Sequence, residues 1–183
     1  MGKETRSKDR SYMKKLFALM VLLLFVCSPA LASQKVTKQQ IANKRIVEYY
    51  ADYFKVDKDF CLAIAEIESH FKTGAYNNPK KGEEDELYIS RGVMQLTIAT
   101  GMQFNRKIQK TEDLYIAEQN IISGVKFIRY LFREYPNASI DEIAQMYNLG
   151  ESKYRRGSRN ADYVYKFRKA YRKDLDIQPK VQP

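Results

Sequence analysis

Glu66 and Glu68 lie in the run Ala63-Ile64-Ala65-Glu66-Ile67-Glu68-Ser69-His70-Phe71. At 100° per residue a helix would set them about 200° apart. Phe60, Ile64, Ile67 and Phe71 repeat at intervals of three and four and form one apolar stripe. Glu68 falls beside Ile64 and one position round from Ile67, at the edge of that stripe. Burial disfavours a charged carboxylate, so a carboxyl group there has a raised pKa. A general acid working at neutral pH needs that property. Spacing alone leaves a second reading open, a solvated glutamate near the end of a helix.

The other reactive side chains are few. His70 is the single imidazole, so any Cys/His or Ser/His pair would have to use it. One His and two Cys are too few for a zinc cluster of those ligands. Cys61 sits in an apolar helical stretch and reads as a core residue, not a nucleophile. A carboxylate is the catalyst left, with no metal and no cofactor expected.

The elements that must position Glu68 read as helices. Thr37 with Gln40 is a capping-box pattern ahead of Ile41, Ile46, Tyr49, Tyr50 and Tyr53. Asp57 can cap the helix that carries Glu68. A third helix begins near Ala99 or earlier, and residues 117–133 carry Ile121, Val125, Ile128 and Phe132 on one stripe. Ser139 with Glu142 caps a short helix through Ile143, Met146 and Tyr147, closed by Gly150. A last helix starts after Asn160. No run alternates long enough for a sheet. Residues 73–91 form a long loop with the charged run from Lys80 to Glu86, and the polar chain beyond Asp174 is a tail.

Ahead of these helices stands an address. Residues 1–15 hold six basic and two acidic residues, then Leu16 to Cys27 is an apolar run of twelve, then Ala30-Leu31-Ala32. That order is a cleavable secretory signal over 1–32. Twelve apolar residues fall short of the roughly 20 that span a bilayer, so no stable membrane span is expected after cleavage. Val26 before Cys27 argues against lipidation. The whole chain has 183 residues, 44% hydrophobic and 30% charged, with a net charge of +10. This is globular composition, sized for one domain. Cleavage lowers the charge to +6, because the six basic and two acidic residues leave with the signal. The expected division is signal 1–32, domain 33–174 and tail 175–183.

Glu68-Ser69, Gly92-Val93-Met94-Gln95, Tyr147-Asn148-Leu149-Gly150 and Tyr163-Val164 follow one another in that order. On helical spacing alone, core packing explains Met94, Tyr147 and Tyr163. Taken together, the four segments resemble the lytic transglycosylase (SLT-type) domain of the lysozyme-like superfamily, which reads E-S, G-L-M-Q, A-Y-N-A-G and Y-V. Asp113-Leu114 and Asn120 with Gly124 are similar to a further helix of that family. The resemblance runs from about residue 45 to 172.

It implies a mainly α, lysozyme-like single domain of six to seven helices, with little or no β and a cleft that binds peptidoglycan glycan strands. Glu68 matches the family's single acid/base, which cleaves the MurNAc-GlcNAc bond and closes a 1,6-anhydro ring. The implied substrate-binding residues are Ser69, Gly92, Met94, Gln95, Tyr147, Asn148 and Tyr163. Gly92 would let backbone approach the sugar, and Met94 would pack on a pyranose face. Gln95 would meet the sugar's polar edge, and Tyr147 would bring a phenol to Glu68. Asn148 would contact an N-acetyl or hydroxyl group, while Ser69 and Tyr163 would shape the cleft. The implied location is the periplasm or cell envelope. Small members of this fold serve secretion, flagellar or pilus assemblies, a partner class the residues themselves do not select.

Some positions depart from the pattern. Ile89-Ser90 replaces Gly-Ala, Val93 replaces Leu, Leu149 replaces Ala, and Ile98 stands where Pro is common. These change size and not chemistry, so they bear on subsite preference. If one of Glu83 to Glu86 reached the far side of the sugar, it could activate water, and the enzyme would be an inverting hydrolase. A goose-type lysozyme on the same fold and a non-catalytic wall-binding accessory protein are the other readings. From Lys153 to Lys173 there are nine basic residues and one acid, interleaved with tyrosines. Behind a signal peptide that mixture fits wall carboxylates or anionic lipid better than nucleic acid, and a helix with one apolar and one solvated basic face explains most of it.

Overall fold

Three local signals set where helices begin, and each forms as the sequence predicts. Thr37 and Gln40 complete a reciprocal capping box on α1, Lys38–Phe54. Asp57 accepts from the Phe60 amide at 2.9 Å and opens α2, Lys58–Ser69. Ser139 and Glu142 form a second capping box on α5, Ile140–Leu149, which Gly150 ends. These bonds satisfy amides that a helix start leaves without partners. The remaining helices of this computed structural model are α3, Ile98–Phe104, α4, Ala117–Glu134, α6, Glu151–Arg155, and α7, Ala161–Leu175, with a 3-10 turn at Thr111–Tyr115.

The structure describes residues 36–77 and 88–175. The expected signal 1–32, the charged run Lys80 to Glu86 and the tail beyond Leu175 lie outside the described residues. Among those described there are seven α-helices and two isolated β-bridges, Tyr76 to Arg91 and Arg91 to Leu96, so the architecture is mainly α. No helix among them is long and apolar enough to cross a membrane. The 3-10 turn and α6 were not expected, and α7 continues to Leu175, one residue past the expected boundary.

The core is built around α2, which packs against α1 and α7. Six consecutive residues, Phe60 to Ala65, are buried, so this helix is covered on nearly every side. The Phe60 ring meets Phe132 of α4 at 5.0 Å and Phe167 of α7 at 4.9 Å between centroids. Burying one such ring contributes about 2–3 kcal/mol, and here it joins three helices. Cys61 is fully buried and its thiol is pushed well above the ordinary value by that burial. On α4, Ile121, Val125 and Ile128 are fully buried and Phe132 partly so.

On α1 the packing face differs from the expected one. Asn43, Val47 and Ala51 face inward, while Ile41, Tyr49 and Tyr53 are exposed. These three recur at four-residue spacing and form one inward face on a helix that packs against α2 and α4, and the tyrosines leave their polar tips in water. Buried Asn43 is satisfied by donating to the Phe71 carbonyl and to Thr73 Oγ1.

Candidate functional site

The last turn of α2 delivers Glu68, and the chain then reverses sharply. Exposed His70 and its neighbour Phe71 both adopt left-handed backbone, φ 51° and 60°. The His70 amide donates to the Ala65 and Glu66 carbonyls and so closes the helix. Ser69, buried beside Glu68, donates its hydroxyl to the Val93 carbonyl at 2.7 Å. The turn that carries Glu68 is thereby fastened to the segment 91–96.

That segment is an irregular loop inside the protein, and its polar backbone is satisfied by side chains from three helices. The Asn120 amide of α4 donates to the Arg91 carbonyl and accepts from the Met94 N–H, at 2.9 and 2.7 Å. Ser69 of α2 holds the Val93 carbonyl, and Tyr147 of α5 donates to the Met94 carbonyl at 2.7 Å. A buried carbonyl without a partner costs about 1–3 kcal/mol, so each clip stabilises the loop. Gly92, at φ +81°, is buried within it. A Cβ there would stand 2.4 Å from the Leu114 carbonyl oxygen and from Asn120 Nδ2.

Two expectations about this loop are corrected. The close approach at Gly92 is to Asn120 and Leu114, not to a sugar. Met94 is fully buried against Gly124, where a Cβ would come within 2.7 Å of it, so it cannot stack on a pyranose. Gln95 faces the cleft, but its amide is engaged within the protein: Nε2 donates to the Ala75 and Gly92 carbonyls, and Oε1 accepts from Ser90.

Glu68 is half-buried, with some solvent contact remaining at the cleft. Burial pushes its carboxyl up from 4.5 to about 7, and a hydrogen bond from Tyr163 draws it partly back. The Tyr163 hydroxyl of α7 donates to Glu68 Oε1 at 2.6 Å. The phenol on Glu68 is therefore Tyr163, where Tyr147 was expected; the Tyr147 hydroxyl is taken by Met94. Both phenols are raised well above their ordinary value by burial, with Glu68 adding to the effect, so both remain protonated donors. Asn160 sets Tyr163 in place: its Oδ1 accepts from the Tyr163 N–H at α7's start, and its Nδ2 donates to Asn148 Oδ1.

A cleft of about 1040 Å³ opens over Glu68. Gln95, Tyr147 and exposed Asn148 line it with Glu68, whereas Ser69, Gly92, Met94 and Tyr163 stand behind its walls. The sequence reading missed Tyr76, Tyr88, Phe127 and Lys153 on the walls. Tyr76 and Tyr88 are 59% and 69% exposed, a solvent-facing aromatic pair suited to sugar faces. Their signal was available: two tyrosines bracketing a charged loop where core packing gives them no role. Among the described residues no cluster of three His, Cys, Asp or Glu could hold a metal ion.

No curated protein matches this chain in sequence. The X-ray structure of an inactive mutant of the lytic transglycosylase Slt from Pseudomonas aeruginosa is similar in fold, with a TM-score of 0.56 at 18% identity. The likeness covers 76% of this chain and 25% of that one, so this chain corresponds to about a quarter of Slt's length. The family model described as the transglycosylase SLT domain matches residues 45–169, which is most of the chain. The chain belongs to the transglycosylase SLT domain family.

Proposed function

We propose that this chain is a peptidoglycan lytic transglycosylase, exported by segment 1–32 and acting in the periplasm or cell envelope through a domain over 33–174. The observation that carries the reading is Glu68, raised to about 7 and hydrogen-bonded by Tyr163 in a cleft lined by no other described carboxylate. Near neutral pH such a group exists in both protonation states, which suits an acid that must then act as a base. The neighbouring Slt structure adds support, since its inactive form carries a Glu-to-Gln change.

Protonated Glu68 gives its proton to the oxygen that links MurNAc C1 to GlcNAc, and the C1–O bond breaks. With Oε1 already accepting from Tyr163, Oε2 is the oxygen left to carry that proton. The substrate's N-acetyl carbonyl stabilises the electron-poor C1. Ionised Glu68, held by the Tyr163 hydroxyl, takes the proton of the C6 hydroxyl as its oxygen bonds to C1. The products are a 1,6-anhydro-MurNAc end and a free GlcNAc hydroxyl, with no water consumed. Asn148 contacts an N-acetyl or hydroxyl group, and Tyr76 and Tyr88 offer faces to neighbouring sugars.

Digestion of purified peptidoglycan, followed by mass spectrometry of the muropeptides, tests this. The protein releases anhydro-muropeptides and Glu68→Gln releases none. Reducing ends would place the chain among hydrolases such as goose-type lysozyme, and binding without product would leave an accessory role. Normal turnover by Glu68→Gln would refute the site.

A further inference from the structure

The cleft's described lining contains two charged side chains, Glu68 and Lys153, and the rest is neutral. Lys153 comes from α6, a five-residue helix with no buried side chain. Its ammonium group makes no hydrogen bond or ion pair with any described residue, although cations around it do. Arg156 donates to Ser152 Oγ. Arg159 donates to the Tyr154 and Ser158 carbonyls and stacks over the Tyr154 ring at 3.9 Å. Those guanidinium groups brace α6, while Lys153 is exposed on the cleft wall without a partner among the described residues. An ammonium on a long flexible stem is a point charge that pairs with an anion without demanding one geometry.

We propose that Lys153 binds a carboxylate carried by the glycan strand, so that the cleft prefers an anionic glycan over a neutral one. This deepens the reading of the cleft as a glycan site and rests on it. Two carboxylates share this chemistry: the lactyl group of a peptide-free muramic acid and the acids of an attached stem peptide. A chain of N-acetylglucosamine alone carries neither. The neutral wall residues Tyr76, Tyr88 and Asn148 carry no charge to select with, so the preference falls to Lys153.

The test measures binding in a Glu68→Gln background, which prevents turnover, to three ligands: peptide-bearing glycan strands, amidase-stripped strands and a chitin hexasaccharide. Lys153→Gln weakens the anionic strands about two- to fivefold, the range for one exposed ion pair, and leaves the hexasaccharide unchanged. Lys153→Glu weakens them further, and the contrast shrinks at high salt. Loss confined to stripped strands assigns the lactyl carboxylate, loss confined to peptide-bearing strands assigns the stem peptide, and loss in both assigns either. Equal weakening of all three ligands, or no change in any, overturns the proposal. Wild-type protein that made no anhydro product would refute the proposed reaction, while these binding contrasts would still decide the role of Lys153.

Discussion

Glu68→Gln should remove activity and also make the protein more stable, at high pH only. In the unfolded chain this carboxyl ionises near 4.5, and in the fold near 7. Between those values the folded protein binds more protons than the unfolded one, so stability falls as pH rises through the window. Above pH 7 the full cost is present, and below 4.5 it is absent. The interval corresponds to about 3 kcal/mol. Glu68 keeps some contact with solvent, which reduces the expected figure to about 2 kcal/mol. Glutamine carries no charge to desolvate and retains an oxygen that can accept from Tyr163. For a domain of this size the gain is about 4–8 °C in melting temperature. Thermal unfolding of both proteins by circular dichroism, at pH 8 and pH 4 and equal ionic strength, measures it. The variant melts higher at pH 8 and level with wild type at pH 4. An equal gain at both pH values, or a loss at pH 8, would sink the argument that burial sets this titration.

Tyr163→Phe removes the hydroxyl that favours ionised Glu68, so the midpoint rises above about 7. The alkaline limb of kcat/KM against pH moves up accordingly, and an unmoved limb contradicts the assignment. Gly92→Ala puts a Cβ 2.4 Å from a carbonyl oxygen at φ +81°. Its expected cost exceeds about 3 kcal/mol, and a melting temperature within a degree of wild type would show that the loop yields more easily than its packing implies.

What could be read in advance was local. Thr37 with Gln40, Asp57, and Ser139 with Glu142 act within one turn, so their types and spacing suffice to place three helix starts. Glu68 at the edge of an apolar stripe is likewise a matter of angle along one helix. The choice between Tyr147 and Tyr163 is not local. It depends on how α5 and α7 sit beside α2, and the bond that decides it joins residues 95 apart in the chain. Met94 has the same lesson. Its burial follows from the missing side chain at Gly124, on a helix whose register against the loop no short motif encodes. On α1, periodicity correctly announced a helix but did not say that Val47 and Ala51, and not the tyrosines, would face inward.

The two sides of the cleft are fastened by different forces. On one side, the loop 91–96 is clipped to α2, α4 and α5 by buried bonds, and moving it would strand several carbonyls at once. On the other, α6 buries no side chain, and phenol–carboxylate bonds hold it in place, Tyr135 to Glu151 and Tyr154 to Glu142. These bonds are partly buried, and Tyr154 also packs on the core, so α6 is held through side chains where the loop is held through its backbone. The cleft is then a groove with one wall tied through its backbone and the other through its side chains. A change on α6 would therefore alter one wall of the cleft while the loop and the Ser69 bond behind Glu68 stay as they are.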